Sequence, residues 1–311
     1  MGGVEACPIA IVGVSCRFAG APDPGAFWRL VMHREGALVP FGADRALAPG
    51  ARNLFPERTY PTHGGLLGNL YACVPRDITF PRQINSGENQ DLYFAVQLAF
   101  DALADAGMRP HAPEPERGTV RFGYAPPFST STMNWLQHTF FVDQTMDILQ
   151  RSFRTAPAES LNEVRAKLVE SLPAPDAASF LSGAGHRIAD WIARECSFSG
   201  GATTLDAGAL SGIAALRAAM DDLRSGRADI ALAGALTPPL SRALLEGLSG
   251  EILFSDAAEV QAGQRSWGEH RPGGPPVGLG SVKGNIGHCF RASAAAAITP
   301  GLRWWMAGMA L

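Results

Sequence analysis

No C-x-x-C pair occurs among the five cysteines, Cys7, Cys16, Cys73, Cys196 and Cys289. Odd in number and scattered, they argue against a zinc site or a disulfide framework and for free thiols. No uninterrupted apolar run approaches the ~20 residues that span a bilayer. Nor does a basic stretch lead into an apolar one at the N-terminus, so nothing resembles an export signal, and a cytoplasmic address is expected. Charge of one sign is also missing: 26 Lys and Arg stand against 29 Asp and Glu, a net −3. That balance gives no electrostatic reason to expect nucleic acid or an anionic membrane as a partner. The glycine-rich fingerprint of dinucleotide sites is absent as well, since GVSCRFAG at 13–20 does not fit G-x-G-x-x-G. No internal repeat stands out.

What is present suits an enzyme-like α/β domain. The 311 residues, 46% of them hydrophobic, allow one large or two ordinary domains with a sizeable core. Ile213, Leu216, Met220 and Leu223 recur at i, i+3, i+7 and i+10, one face of a helix. Asp206 and Ser211 are placed to cap its start, and Ser225-Gly226 to stop it. The run Ile230 to Ala235 follows at once and reads as a buried strand of a parallel sheet. Turn, helix and strand together predict a layered α/β domain.

The start of such a helix is a good place for a nucleophile, because its unpaired N–H groups and positive dipole end favour an anion. The stretch TTLDAGALSGI at 203–213, continued by ALRAAMDDLRSGRADIALAGAL, resembles the nucleophile elbow of the β-ketoacyl synthases, the condensing enzymes of fatty-acid and polyketide synthesis. Three further stretches carry the same resemblance in the same order. PIAIVGVSCRFAGAPDPGAFWRLV is similar to the family's first strand, turn and helix. GENQDLYFAVQLAFDALADAG matches its long helix before an Asp-Ala-Gly stop. GSVKGNIGH at 280–288 is similar to the late lysine and histidine motif, with Lys283, Asn285 and His288 in place. CVPRDITFPRQINSGENQDLYF, the polar stretch around 135–172 and SFLSGAGHRIADWIARECSFSG look most like ketosynthase-like domains of polyunsaturated-fatty-acid and glycolipid synthases. Those systems pair an active ketosynthase with a chain-length factor that lacks the cysteine.

The resemblance implies a thiolase-like fold of αβαβα layers and an acyl group carried on the phosphopantetheine of a carrier protein, with no cofactor or metal of its own. It also implies a defect. The family's cysteine nucleophile falls on Ala209, which has no group to hold a thioester. Two histidines would donate hydrogen bonds where charge develops on the enolate and the thioester oxygen. His288 matches the second; the first falls on Leu248, and the nearest alternative, His270, sits in the polar loop WGEHRPGGPP. Lys283 and Asn285 would hold His288 in place or cap a strand end. Three residues stand as substitutes for the nucleophile. Cys289 follows His288 directly, although neighbouring side chains usually point apart; Ser211 is two residues into the helix but is equally a cap; Cys196 precedes the elbow strand and suits a core or surface thiol.

One ketosynthase-like domain over 1–311 is expected, with residues 1–240 as its N-terminal half and 241–311 as the remnant of a shortened C-terminal half. FSDAAEVQAG at 254–263 resembles what is left of the G-D-P-x-E-A stretch, and about the middle third of the domain would be deleted. Elsewhere, residues 41–65 read as a long surface loop and PPFSTSTMNW at 126–135 as another, placed where the family builds its dimer contact and substrate entrance. Leu161, Val164, Leu168 and Leu172 predict an amphipathic helix, packed on one side or docked on a partner helix.

Three readings of function follow. The chain is a non-condensing subunit that pairs, as a two-fold dimer, with an active ketosynthase or with itself and docks acyl carrier protein. Alternatively it keeps a residual malonyl-carrier decarboxylase or acyltransferase activity through His288, although family decarboxylases without the cysteine keep both histidines and place glutamine there. The third reading is a decayed, truncated ketosynthase.

Overall fold

The computed structural model describes residues 8–42, 63–70, 78–79, 90–111, 117–124, 135–172, 174 and 187–237. They belong to two compact units. One holds the described residues of Arg17–Gly68, the other those of Met1–Cys16 and Asn69–Pro239.

In the smaller unit, helix α1 (Pro24–His33) starts where sequence rules put a start. Asp23 is extended and its Oδ1 accepts the Ala26 N–H at 2.8 Å, with proline at the first helical position. Arg34 ends it in the left-handed region, φ 56°. Phe27 is fully buried against Phe18, ring centroids 4.6 Å apart. Strands β1 (Leu38–Pro40) and β2 (His63–Gly65) pair antiparallel. The expected loop from 41 therefore ends in a strand rather than running on to 65; residues 43–62 lie outside the described residues.

The larger unit opens with a correction. Residues 8–16 form no strand, although the sequence predicts one. Two of their polar groups go to a helix, α2 (Gln90–Asp105): the Val14 N–H donates to Asp105 Oδ2 at 2.8 Å and Ser15 Oγ to the Leu98 carbonyl at 2.7 Å. Helix α2 is the predicted long one, and Gly107, at φ 74°, stops it. Its first turns, Leu92 to Val96, are buried on every side.

The sheet has the order β4-β3-β5, all parallel, with β3 (Gly118–Gly123) between β4 (Ala202–Leu205) and β5 (Ile230–Ala235). Alternation along β3 separates its faces. Gly118 lies against the Phe198 ring, just past helix α5 (Arg187–Glu195), and Tyr124 bonds Asp91 of α2, so the even positions face α2 and α5. Arg121 and Gly123 instead meet helix α6 (Ser211–Arg224). The result is helix, sheet, helix, with a β4-α6-β5 crossover. The second sheet of the expected αβαβα layering falls outside the described residues.

Two readings of this region change. β5 is parallel as expected but only half-buried, because it is an edge strand among the described residues. Helix α6 forms over the predicted span, yet its buried face is Ser211, Gly212, Ala215, Ala219 and Asp222, not the large apolar stripe. Ile213 is exposed, and Leu216, Met220 and Leu223 are half-buried. The reason is distance: a Cβ on Gly123 would stand 2.8 Å from Ser211, so only small residues fit between helix and strand. Gly226, φ 70°, closes the helix at the predicted Ser225-Gly226 stop.

Residues 135–172 build a helical pair. A π-helical turn (Gln137–Phe141) runs into α3 (Val142–Ser152), and α4 (Ala158–Glu170) returns, tied by Arg165 to Asp143 at 2.8 Å. Leu161, Leu168 and Leu172 are half-buried and Val164 is exposed, so the amphipathic helix forms with its apolar side only partly covered among the described residues.

Candidate functional site

Sheet order brings the ends of β4, β3 and β5 to one level, with Gly123 opposite both Leu205 and Ala235. Beyond this carboxyl edge the chain leaves β4 and turns into α6, the position where open parallel sheets place their sites. The turn is built from its own polar groups. Asp206 Oδ1 accepts the Gly208 N–H at 3.1 Å, and Gly208 takes φ 58°. Ser211 Oγ accepts the Ala207 N–H at 2.9 Å and donates to the Gly208 carbonyl at 2.7 Å. Leu210 N–H returns to the Ala207 carbonyl at 3.1 Å.

These bonds correct the expected caps. The residue before α6 is Leu210, and no side chain caps the helix; Asp206 and Ser211 hold the turn instead. The physical reason is reach. Ser211 points back along the chain into the turn, where two backbone groups need partners. Its hydroxyl thereby accepts one hydrogen bond and donates another in a side chain with no exposure, a turn-holding role rather than that of a presented nucleophile.

Ala209 sits at the crest of this turn and is exposed, as is Leu210 at 64%. One residue further on, the uncapped first turn of α6 presents backbone N–H groups and the positive end of a fourteen-residue helix. The local geometry suits a thiolate; a methyl group occupies it.

A second polar pair underlies the turn. Tyr124, which follows β3, donates through its hydroxyl to Asp91 Oδ2 at 2.6 Å, and both residues are about 1% exposed. The Tyr124 N–H also bonds the Leu205 carbonyl at 3.0 Å, directly before Asp206. Asp91 lies in the first turn of α2, where a carboxylate meets the helix's positive end. The sequence hid this pair: thirty-three positions separate the two residues, and Asp91 reads as one polar residue in an apolar helix.

Opposite it, on the α6 face, Asp222 is 1% exposed and collects two arginines, Arg121 at 2.6 Å and Arg227 at 2.9 Å. This cluster ties the middle strand to the end of α6, so it orients the elbow rather than facing it. Cys196 is buried, and its thiol is pushed up to about 12, first by burial and then by the neighbouring Glu195 carboxylate. A thiol held protonated is no nucleophile. Glu195 itself is buried and accepts from the Thr79 backbone N–H at 2.7 Å and hydroxyl at 2.6 Å.

Of the residues singled out in the sequence, Asp206, Ala209 and Ser211 thus meet in one turn. Lys283, Asn285 and His288, the alternatives Cys289 and His270, and Leu248 lie outside the described residues. Among the described residues no group of three or more His, Cys, Asp and Glu is placed to hold a metal ion, and no helix is long and apolar enough to cross a membrane.

The sequence pattern of the β-ketoacyl synthase N-terminal domain matches residues 6–262, and that of the C-terminal domain residues 250–302. The chain is 28% identical over 234 residues to the spectinabilin polyketide synthase system protein NorA' of Streptomyces orinoci, covering 74% of this chain and 5% of that protein. By fold it is similar to the oxazolomycin ketosynthase domain OzmH KS7 of Streptomyces albus, with a TM-score of 0.65, 16% identity and coverage of 93% of this chain and 62% of that one. It is also similar to the PfaC keto synthase-chain length factor, with a TM-score of 0.52 and 18% identity over 77% of this chain and 25% of that one. The chain therefore spans a small part of its curated relative and under two thirds of these solved chains. The family pattern covers most of the chain, and the fold neighbours share its parallel sheet and helices: the protein belongs to the β-ketoacyl synthase family, as a ketosynthase-like domain of the polyketide and fatty-acid synthase type.

Proposed function

We propose that this protein is a non-condensing ketosynthase-like subunit of cytoplasmic fatty-acid or polyketide synthesis, pairing with an active ketosynthase in the manner of a chain-length factor and meeting acyl groups on a carrier protein. The observation that carries the reading is Ala209, exposed at the crest of an otherwise intact elbow turn. Condensation in this family needs a thiolate that attacks the carrier's thioester and expels the phosphopantetheine thiol. A methyl group forms no such bond, and of the alternatives Ser211 bonds the turn and Cys196 is buried and protonated, while Cys289 lies outside the described residues.

What remains is scaffold. The elbow keeps its bonds, α6 keeps its close seat on β3, and the exposed Leu210 and Ile213 beside the turn suit contact with an acyl chain or a partner rather than with water. The likeness to a keto synthase-chain length factor agrees with this at the level of fold alone. The test is copurification: the chain should coelute with a full-length ketosynthase from the same synthesis system. A well-behaved monomer indifferent to ketosynthase and carrier protein removes the reading.

A further inference from the structure

The turn that leaves α2 ends beside a buried carboxylate. Past the Gly107 stop, the Met108 N–H returns to the Leu103 carbonyl at 2.8 Å, and His111 then takes φ 60°, in the left-handed region. Histidine enters that region more readily than most side chains, but a residue other than glycine stays there only where its surroundings fix it. Two neighbours stand against the His111 ring. Phe100 of α2 meets it edge-on, centroids 5.7 Å apart, and Glu195 Oε2 lies 4.0 Å from its Nε2.

Glu195 closes α5 and is fully buried. Thr79 donates to both of its oxygens, through the backbone N–H at 2.7 Å and the hydroxyl at 2.6 Å. Solvent screens a carboxylate so placed much less than one at the surface, so a nearby cation counts for more. At 4.0 Å the imidazole is beyond hydrogen-bond distance but within reach of an ion pair. Histidine is also the side chain whose charge changes between about pH 5 and 8. Other titratable groups on the packed elements are engaged elsewhere or neutral. Cys196 stays protonated, its thiol pushed up to about 12 by burial and by Glu195. On α2, Asp91 accepts from Tyr124, Asp101 from Gln97 and Asp105 from the Val14 N–H. On α5, Arg194 pairs with Asp190 at 3.2 Å and Arg187 lies over the Trp191 ring. Arg121 of β3 lies on the other face of the sheet with Asp222, and Arg109, in the same turn as His111, is exposed.

We propose that His111 and Glu195 form a latch that closes in acid, the protonated imidazole meeting the buried carboxylate and fastening the turn after α2 to the end of α5. The pair favours the closed turn on the acid side, and that contribution is lost as pH rises and the imidazole becomes neutral. Because α5 leads into β4 and so to the elbow, the latch steadies the helical layer under the sheet. The inference stands on α2, α5 and Thr79 and does not depend on the reading of Ala209.

The test is hydrogen–deuterium exchange of the full chain at pH 5.5 and 8.0, corrected for the intrinsic effect of pH on exchange and read on peptides that span His111. Native protection there should be greater at pH 5.5 by about fivefold or more, while peptides from α6 show no such change. His111→Gln keeps a polar side chain without the charge and should abolish the acid rise. Glu195→Gln keeps an acceptor for Thr79 and should abolish it as well; thermal melts show whether that variant is folded, and His111→Gln decides the matter if it is not. Equal protection of the native chain at the two pH values overturns the proposal. So does an acid rise that survives in folded His111→Gln or Glu195→Gln, or one that appears equally in α6.

Discussion

Gly123 carries no side chain where the backbone of Ser211 passes, and a Cβ built there would stand 2.8 Å from both the Ser211 carbonyl carbon and its Cβ. This contact seats the start of α6 on the middle strand and so sets the height of the elbow turn above the sheet. Gly123→Ala is expected to destabilise the protein by about 1–3 kcal/mol through overpacking. Chemical denaturation measures it, and an unchanged midpoint would show that α6 is not held this closely.

The buried Tyr124 and Asp91 pair makes a separate prediction. Tyr124→Phe keeps the ring and removes the donor, leaving the Asp91 carboxylate short of one partner in a site without water access. A loss of about 1–3 kcal/mol is expected. Asp91→Asn in the Tyr124→Phe background should recover part of it, because a neutral amide costs less to bury than a charge that has lost one of its partners.

Two ion pairs of similar geometry should behave differently. Arg121 meets a carboxylate that is 1% exposed, whereas Arg117 meets Asp229 with both side chains more than half exposed. Arg121→Ala is expected to cost about 1–3 kcal/mol, since it leaves the buried Asp222 with Arg227 as its one remaining arginine. Arg117→Ala should cost less than about 1 kcal/mol, as solvent screens that pair. Urea titrations of the two variants compare them directly.

Much of this could be read from the chain, and the failures share a cause. Local signals held: the Gly107 and Gly226 stops and the Ile230 to Ala235 strand all depend on a few adjacent residues. The α6 face was misread because periodicity weighs side-chain size, while here a backbone contact across the sheet selected alanine and glycine for the buried side. Ser211 was misread for a related reason. A serine at a helix start bonds forward or backward, and only the turn it joins decides which. The Tyr124–Asp91 and Arg121–Asp222 pairs are long-range pairings that no spacing announces.

Cysteine chemistry separates the elbow from the core. The Cys196 thiol is raised from an ordinary 9.0 to about 12, so folding favours its protonated form. That contribution to stability is whole below about pH 9 and declines as pH rises toward 12, where the unfolded chain ionises first. In the native state Cys196 should therefore resist iodoacetamide at pH 8 and react after denaturation. In Ala209→Cys the new thiol, exposed at the uncapped start of α6, should label quickly at pH 7. Peptide mapping distinguishes the two sites. Slow labelling at 209 would mean that the turn no longer favours a thiolate.

The central claim is that the elbow survives without its covalent chemistry. Its most direct test is the intact mass of the native chain after incubation with acyl-loaded carrier protein. The expected result is an unchanged mass, alongside a full-length ketosynthase that gains the acyl group under the same conditions. A stable acyl adduct on this chain would show that another residue has taken over the role of the missing cysteine, and would contradict the account.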